Sequence, residues 1–290
     1  MTVFFFGMGY SSQAAARAIF AGDPSAVIAG TSRTPEGAAA LTRHDISAHV
    51  FDGTAPGHTL GIDLRNATQV VLSIAPDAVG DPALVQHRAD LDAATNLSWL
   101  CYYSTIGVYG DFGGAWIDET APLVPRNARS DRRVVAEQAW RDYAAERGVP
   151  LAILRLAGIY GPRRSAFDKL ADATARRIDK PGQVFNRIHV ADIGRVTALA
   201  AAARLDGIFN LADDEPAPPQ DVIAHAAGLQ GVPLPPELAF ETADLTPMQR
   251  SFYADNKRVS NARIKSALGI DLLYPTYRDG LAAIAREQRP

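Results

Sequence analysis

The densest chemical signal in the sequence is Gly7-Met-Gly9-Tyr10-Ser11-Ser12. It lies directly after the apolar run Val3–Phe6 and directly before Gln13-Ala-Ala-Ala-Arg-Ala, a strong helix former. A strand that turns on glycines into a helix N-terminus presents unpaired backbone N–H groups and the positive end of the helix dipole. That arrangement suits a pyrophosphate. Gly7 fits the tight turn and Gly9 lets the backbone approach the phosphates, while Ser12 stands where the G-x-G-x-x-G spacing has its third glycine. Serine is small enough to keep helix and strand close, and Tyr10 and Ser11 complete the candidate cradle. An ordinary strand–turn–helix is the alternative that this motif alone leaves open.

A second chemical group follows the next apolar run, where Thr31, Ser32, Arg33 and Thr34 precede the first carboxylate, Glu36. In a dinucleotide-binding fold this place meets the adenosine ribose: a carboxylate takes a 2′-hydroxyl, an arginine a 2′-phosphate. Ser32 and Arg33 therefore predict NADP, with NAD as the second choice and a solvent-facing loop arginine as the competing reading. Asp52 ends a predicted strand over 48–52, either to meet an adenine amino group or as a plain loop carboxylate. Ser73 and Ala75 end the next predicted strand, 69–76, and their small size leaves room for the second half of such a cofactor.

The elements that must position these groups alternate between strand and helix. Helices are predicted over 82–96, 129–147, 166–178 and 193–204, and further strands over 97–110, 151–156 and 207–212. This alternation defines an α/β chain with a Rossmann-type doubly wound parallel sheet and a small C-terminal substrate-side subdomain. Residues 1–162, with 183–212 returning to the sheet, form the expected dinucleotide-binding domain. Residues 163–182 and 213–290 form the expected smaller part. Asp213, Asp214 and Glu215 beside prolines read as a solvated linker, with a metal site as the weaker alternative, and no metal is predicted.

A chain of 290 residues can bury a large core, and a net charge of −3 supplies no basic field for nucleic acid or an anionic membrane. The lone cysteine, Cys101, excludes an intrachain disulfide and sits among apolar neighbours as a buried strand thiol. No apolar run approaches the length of a membrane span, and no secretory signal is evident. The expectation is a soluble, cytoplasmic protein with a small-molecule substrate, monomeric or homodimeric.

Several segments together carry a family likeness. They are the glycine turn at 7–12, Ser104-Thr-Ile-Gly-Val-Tyr-Gly110, Asp118-Glu-Thr-Ala-Pro122, Leu154-Arg-Leu-Ala-Gly-Ile-Tyr-Gly-Pro162 and Arg187-Ile-His-Val-Ala-Asp192. In this order they resemble the extended and atypical short-chain dehydrogenases/reductases, the NAD-dependent epimerase/dehydratase-like proteins. The resemblance implies that Thr105, four residues before Tyr109, hydrogen-bonds a substrate oxygen. It also implies a Tyr-x-x-x-Lys pair on the next helix, followed by a glutamate.

Anchored on Glu137, the lysine position holds Arg133 and the tyrosine position Arg129. An arginine cannot act as the acid or base, because it stays protonated in proteins. Arg133 can replace the lysine as a donor to a nicotinamide ribose, or it can pair with Glu137 on the surface. Arg129 can hold an anionic substrate. Tyr109 is the leading candidate to move the proton, and Tyr160 and His189 are candidates to line the substrate. Two functions stay open: an NADP-dependent oxidoreductase acting on a small polar, sugar- or nucleotide-linked carbonyl or alcohol, and a catalytically silent NADP-binding redox sensor.

Overall fold

Val3 to Phe6 are apolar without alternation because this strand is covered on both faces, and all four side chains are fully buried. The computed structural model describes residues 1–288. Its strands are β1 (Thr2–Phe6), β2 (Val27–Ser32), β3 (Ser47–Val50), β4 (Gln69–Leu72), β5 (Trp99–Thr105), β6 (Trp116–Ile117), β7 (Leu151–Leu156), β8 (Gly158–Tyr160), β9 (Arg177–Asp179), β10 (Arg187–His189), β11 (Gly207–Leu211), β12 (Glu237–Ala239) and β13 (Arg258–Val259). The helices are α1 (Tyr10–Gly22), α2 (Pro35–Thr42), α3 (Gly61–Arg65), α4 (Pro82–Asp92), α5 (Ala128–Arg147), α6 (Ala166–Ala171), α7 (Val190–Ala203), α8 (Pro219–Gln230), α9 (Pro247–Phe252), α10 (Ala262–Leu268) and α11 (Tyr277–Glu287).

Seven strands form the main sheet in the order β11-β7-β5-β4-β1-β2-β3, and β1 to β5 pair in parallel. Sequence order reverses direction between β1 and β4. Ligands of open α/β sheets bind outside the carboxyl ends of the strands at such a point. This is a Rossmann-type α/β sheet, as the alternation in the sequence predicts.

The chain folds as two units. One holds Met1–Val108, Pro125–Arg155 and Ile193–Phe209, and the other Tyr109–Val124, Leu156–Asp192 and Asn210–Pro290. The first buries a core that includes Phe4, Phe6, Val70, Leu100, Trp140 and Ile153. The second has its own core around Phe167, Ile223, Tyr277 and Leu281 and contains the short parallel pairs β8–β10, β9–β12 and β6–β13.

Several element boundaries move from their sequence-predicted positions for local reasons. The helix expected over 166–178 stops at Ala171, because Asp172 turns the chain with Oδ1 on Thr174 N and Oγ1 and Ala173 adopts φ +57°. Residues 177–179 are then strand β9. The helix expected over 82–96 ends at Asp92 and is kinked at His87, whose ring bonds Asp90 and Gly57 N. Strand β5 ends at Thr105, and Ile106–Tyr109 tighten into a single 3₁₀ turn. The helix expected from 193 begins at Val190, and β3 stops at Val50, before Asp52.

Candidate functional site

The turn after β1 is built for a close approach. Gly7 adopts φ +89°, and its N–H donates to Thr31 Oγ1 at 2.8 Å. A Cβ at Gly7 would press on Ile74 at 2.9 Å, so both conformation and space require glycine here. Gly9 is the N-cap of α1 and offers no side chain to the orphan amides of the first turn; a Cβ there meets nothing within 4 Å. The helix N-terminus thus opens onto free space with its dipole uncompensated. Tyr10 opens the helix, and Ser11 and Ser12 are buried behind it, Ser12 with its hydroxyl unpartnered.

Ser32 ends β2, and Arg33 follows it, exposed and without a protein partner among the described residues. Asp52 is exposed and turns its own loop: Oδ1 accepts from Thr54 N and Oγ1, and these bonds hold the carboxyl below its ordinary pKa. Ser73 donates its N–H to Phe6 O at 2.9 Å just beyond β4, and Ala75 is exposed.

On the same unit, β5 delivers Thr105, whose Oγ1 accepts from Gly107 N at 3.1 Å and keeps its own O–H proton to give. Helix α5 starts on Asn127, which caps Ser130 N, and carries Arg129, Arg133 and Glu137 on successive turns. Arg129 is exposed. Arg133 does not pair with Glu137 on the surface. Its Nη1 instead donates to Tyr103 O and Tyr102 Oη, both at 2.9 Å, and to Ile74 O at 3.3 Å, with the guanidinium against the Tyr102 ring. Glu137 is buried, and this is the reason for the difference: it takes Arg155 Nη2 at 2.6 Å and Ser104 Oγ at 2.5 Å. A carboxylate out of water needs such partners. The sequence reading gave neither Arg155 nor Ser104 a role with Glu137, although a charged residue inside Leu151-Ala-Ile-Leu-Arg-Leu156 is itself a signal for a buried partner.

Tyr109 departs from its expected role. It is fully buried in the second unit, with its hydroxyl donating to Asn210 Oδ1 at 2.7 Å, and Asn210 in turn gives its N–H to Glu119 at 2.8 Å. That chain braces a loop and hands its proton inward, so Tyr109 is a poor proton mover. Tyr102 and Tyr103 offer no substitute, because burial pushes both hydroxyls further above their ordinary pKa. Asp118 turns its own loop onto Thr120, which leaves no Asp118–Glu119 dyad.

The second unit brings Tyr160 and His189 together across the β8–β10 pair, ring centroids 5.1 Å apart, with the Tyr274 ring 4.1 Å from the imidazole. Burial pushes His189 down to about 4. Its Nδ1 faces Ala191 N, so the neutral ring carries its proton on Nε2, which has no partner. Burial likewise pushes the Tyr160 hydroxyl upward, and it donates to Thr276 O at 3.4 Å.

Asp213 corrects the reading of 213–219 as a solvated linker. It is 1% exposed, with its N–H on Arg187 O, and burial pushes its carboxyl up to about 8 against the Arg187 charge. Among the described residues no group of three or more His, Cys, Asp or Glu could hold a metal ion. Native Asp213 keeps its proton to about pH 8, whereas the unfolded chain releases it near 3.8. Stability from this group is therefore lost as pH rises across that window. His189, pushed down from 6.5 to about 4, works in the opposite sense only below 6.5. Between about pH 6.5 and 8 the melting temperature should fall for the wild type and stay level for Asp213→Asn. Parallel profiles for the two proteins would refute the buried acid.

The model of the NAD dependent epimerase/dehydratase family matches residues 89–212. A functionally unknown conserved protein from Silicibacter pomeroyi is 45% identical, with a TM-score of 0.88, over 100% of this chain and 99% of that one. UDP-N-acetylglucosamine 4-epimerase from Bacillus cereus superposes with a TM-score of 0.75 at 16% identity, over 100% of both chains. dTDP-glucose 4,6-dehydratase from Bacillus anthracis, solved in complex with NAD, gives 0.77 at 14% identity, over 99% of this chain and 96% of that one. At these low identities the last two show the fold alone. Among curated proteins no relative matches. The chain belongs to the NAD-dependent epimerase/dehydratase family of Rossmann-fold proteins. No helix among the described residues is long and apolar enough to cross a membrane.

Proposed function

We propose that the protein is an NADP-dependent oxidoreductase acting on a small polar, sugar- or nucleotide-linked carbonyl or alcohol. The observation that carries this reading is the N-terminus of α1, uncapped by any side chain and facing open space at Gly9, together with the unpartnered Arg33 at the end of β2. Backbone amides from Gly9 to Ser12 would hold the diphosphate, Ser32 and Arg33 the 2′-phosphate, and Asp52 the adenine edge. Ser73 and Ala75 leave the passage clear. Arg133, whose Nη1 is taken by Tyr102 Oη, Tyr103 O and Ile74 O, would donate to the nicotinamide ribose through the rest of its guanidinium. When bound, the cofactor supplies or accepts hydride. Thr105 orients the reacting oxygen and Arg129 attracts an anionic substrate, the roles that the family resemblance implies for them.

Calorimetry of the full chain with NADPH and NADH, followed by absorbance at the NADPH band across a carbonyl panel, tests this. Preferential NADPH binding with oxidation supports the enzyme, and absence of cofactor binding removes it. A specific observation favours the second reading, a silent NADP-binding sensor: arginines stand at both positions of the family's tyrosine and lysine, and Tyr102, Tyr103 and Tyr109 are buried. Tight NADPH binding without oxidation throughout the panel would select it. Under either reading Tyr109→Phe removes a brace and no proton donor. It should lower stability by about 1 kcal/mol in urea unfolding and, if the protein is the oxidoreductase, leave turnover within about twofold; a loss of turnover in a fully folded variant would restore the catalytic role.

A further inference from the structure

Residues 52–60 lie between β3 and α3 and begin with Asp52. Apart from the local turn of Thr54 onto Asp52, two hydrogen bonds among the described residues tie 53–59 to the rest of the chain, and both end on an imidazole. Gly57 N donates to His87 Nε2 at 3.0 Å, and Thr59 Oγ1 lies 2.9 Å from His49 Nδ1. Each ring has its second nitrogen on a carboxylate: His87 Nδ1 on Asp90 Oδ2 at 3.0 Å, and His49 Nε2 on Asp63 Oδ2 at 2.8 Å.

The two rings respond differently to a proton, because a charged imidazole donates from both nitrogens. Charged His49 keeps both partners: the Thr59 hydroxyl accepts as readily as it donates, and Asp63 accepts in either state. Charged His87 loses Gly57. A backbone N–H only donates, and a new proton on Nε2 would stand against it. The bond to Gly57 therefore needs the neutral ring, with its proton on Nδ1 toward Asp90. His87 is 2% exposed, against the rings of Phe6 and Phe51, and α4 gives up helical geometry at this residue, φ −126° and ψ 19°, where the ring reaches the loop. A helix interior broken at the residue that holds a loop marks that contact as functional.

Few charged groups surround the ring. Asp90 faces it from α4, Arg65 of α3 acts on it through Asp90 Oδ1 at 2.6 Å, and the loop's own Asp52 and His58 are exposed. Asp81, the N-cap of α4, is pushed up to about 6 by burial and changes charge in the same interval as an ordinary imidazole.

We propose that His87 is a proton-operated latch on loop 52–60: neutral, it holds the loop and with it Asp52 at the base end of the nucleotide, and protonated, it releases both and weakens nucleotide binding. The latch follows from the bonding of His87, and its effect on the nucleotide rests on the role given to Asp52 under the proposed function. His49 keeps the far end of the loop tethered in both states.

Hydrogen exchange of the full chain without cofactor reads the latch. Corrected for the intrinsic rate, protection of Gly57 N–H should fall about tenfold or more between about pH 8 and 5.5. His87→Gln, which offers an uncharged acceptor at every pH, should flatten that profile, whereas His49→Asn and Asp81→Asn should keep the wild-type slope. Calorimetry reads the coupling. Across the same interval NADP affinity should fall about three- to tenfold more in the wild type than in His87→Gln, the loss expected of one hydrogen bond. The ligand's own phosphate titrates equally in both proteins, so the difference belongs to His87. Level protection in the wild type, an equal slope in His87→Gln, or a slope lost in Asp81→Asn overturns the latch. A loop that opens while NADP affinity holds overturns the link to the nucleotide. Absence of NADP binding at every pH removes the cofactor reading, and the exchange series on the free chain still decides the latch.

Discussion

Arg155→Met is expected to cost about 3–5 kcal/mol of folding stability, because it strands the buried Glu137 carboxylate with only Ser104 as a partner. Both side chains of this pair are almost fully buried, so solvent cannot take over the solvation that arginine provides. Coulomb attraction in such a place is large, yet so is the cost of bringing both charges out of water, and the net worth of the intact pair is small. The paired replacement Glu137→Met with Arg155→Met should therefore recover most of the loss. Urea unfolding of the single and double variants reads this out as a non-additive cycle. A single-variant cost below about 1 kcal/mol would mean that the carboxylate finds other donors. The pair ties the middle of α5 to β5 and β7, so Thr105 and the start of α5 depend on it for their separation.

Arg33→Ala should weaken NADPH binding by about ten- to a hundredfold and NADH binding by less than about twofold. The guanidinium donates to a dianionic phosphate in one case and to nothing charged in the other. Because Arg33 is exposed and holds no partner among the described residues, its removal carries almost no folding penalty to confuse the result. The NADPH affinity should also fall with added salt, more steeply in the wild type than in the variant, since screening acts on the contact that the variant lacks. Equal losses for both cofactors would sink the 2′-phosphate assignment and return Arg33 to the role of a loop residue.

The sheet was legible because β1, β4 and β5 are short runs rich in apolar residues and helical sequence separates the strands from β1 to β5. The turn at Gly7 and Gly9 was legible for the same physical reason that it works: only glycine tolerates φ +89° beside Ile74. Partner choice was not. Arg133 and Glu137 are spaced for a surface pair, but burial of Glu137 redirects it to Arg155, eighteen positions away, and no local rule contains that distance. Asp213 looked solvated because it neighbours Asp214, Glu215 and prolines, whereas its environment is set by Arg187 and by a fold around it. Tyr109 carried a motif position without the exposure its expected chemistry needs. Composition and spacing report what a segment can become, and desolvation, which assigns charges their partners, is a property of the assembled chain.

Cys101 lies fully enclosed at the middle of β5, and burial keeps its thiol protonated far beyond the ordinary range. A thiol-specific reagent can therefore reach sulfur only when the central strands separate, so the rate of alkylation counts opening events of the sheet. With no second cysteine to confuse the signal, the wild-type chain is its own single-site clock. Any nucleotide that grips the closed form must slow that clock by one plus the ratio of its concentration to its dissociation constant.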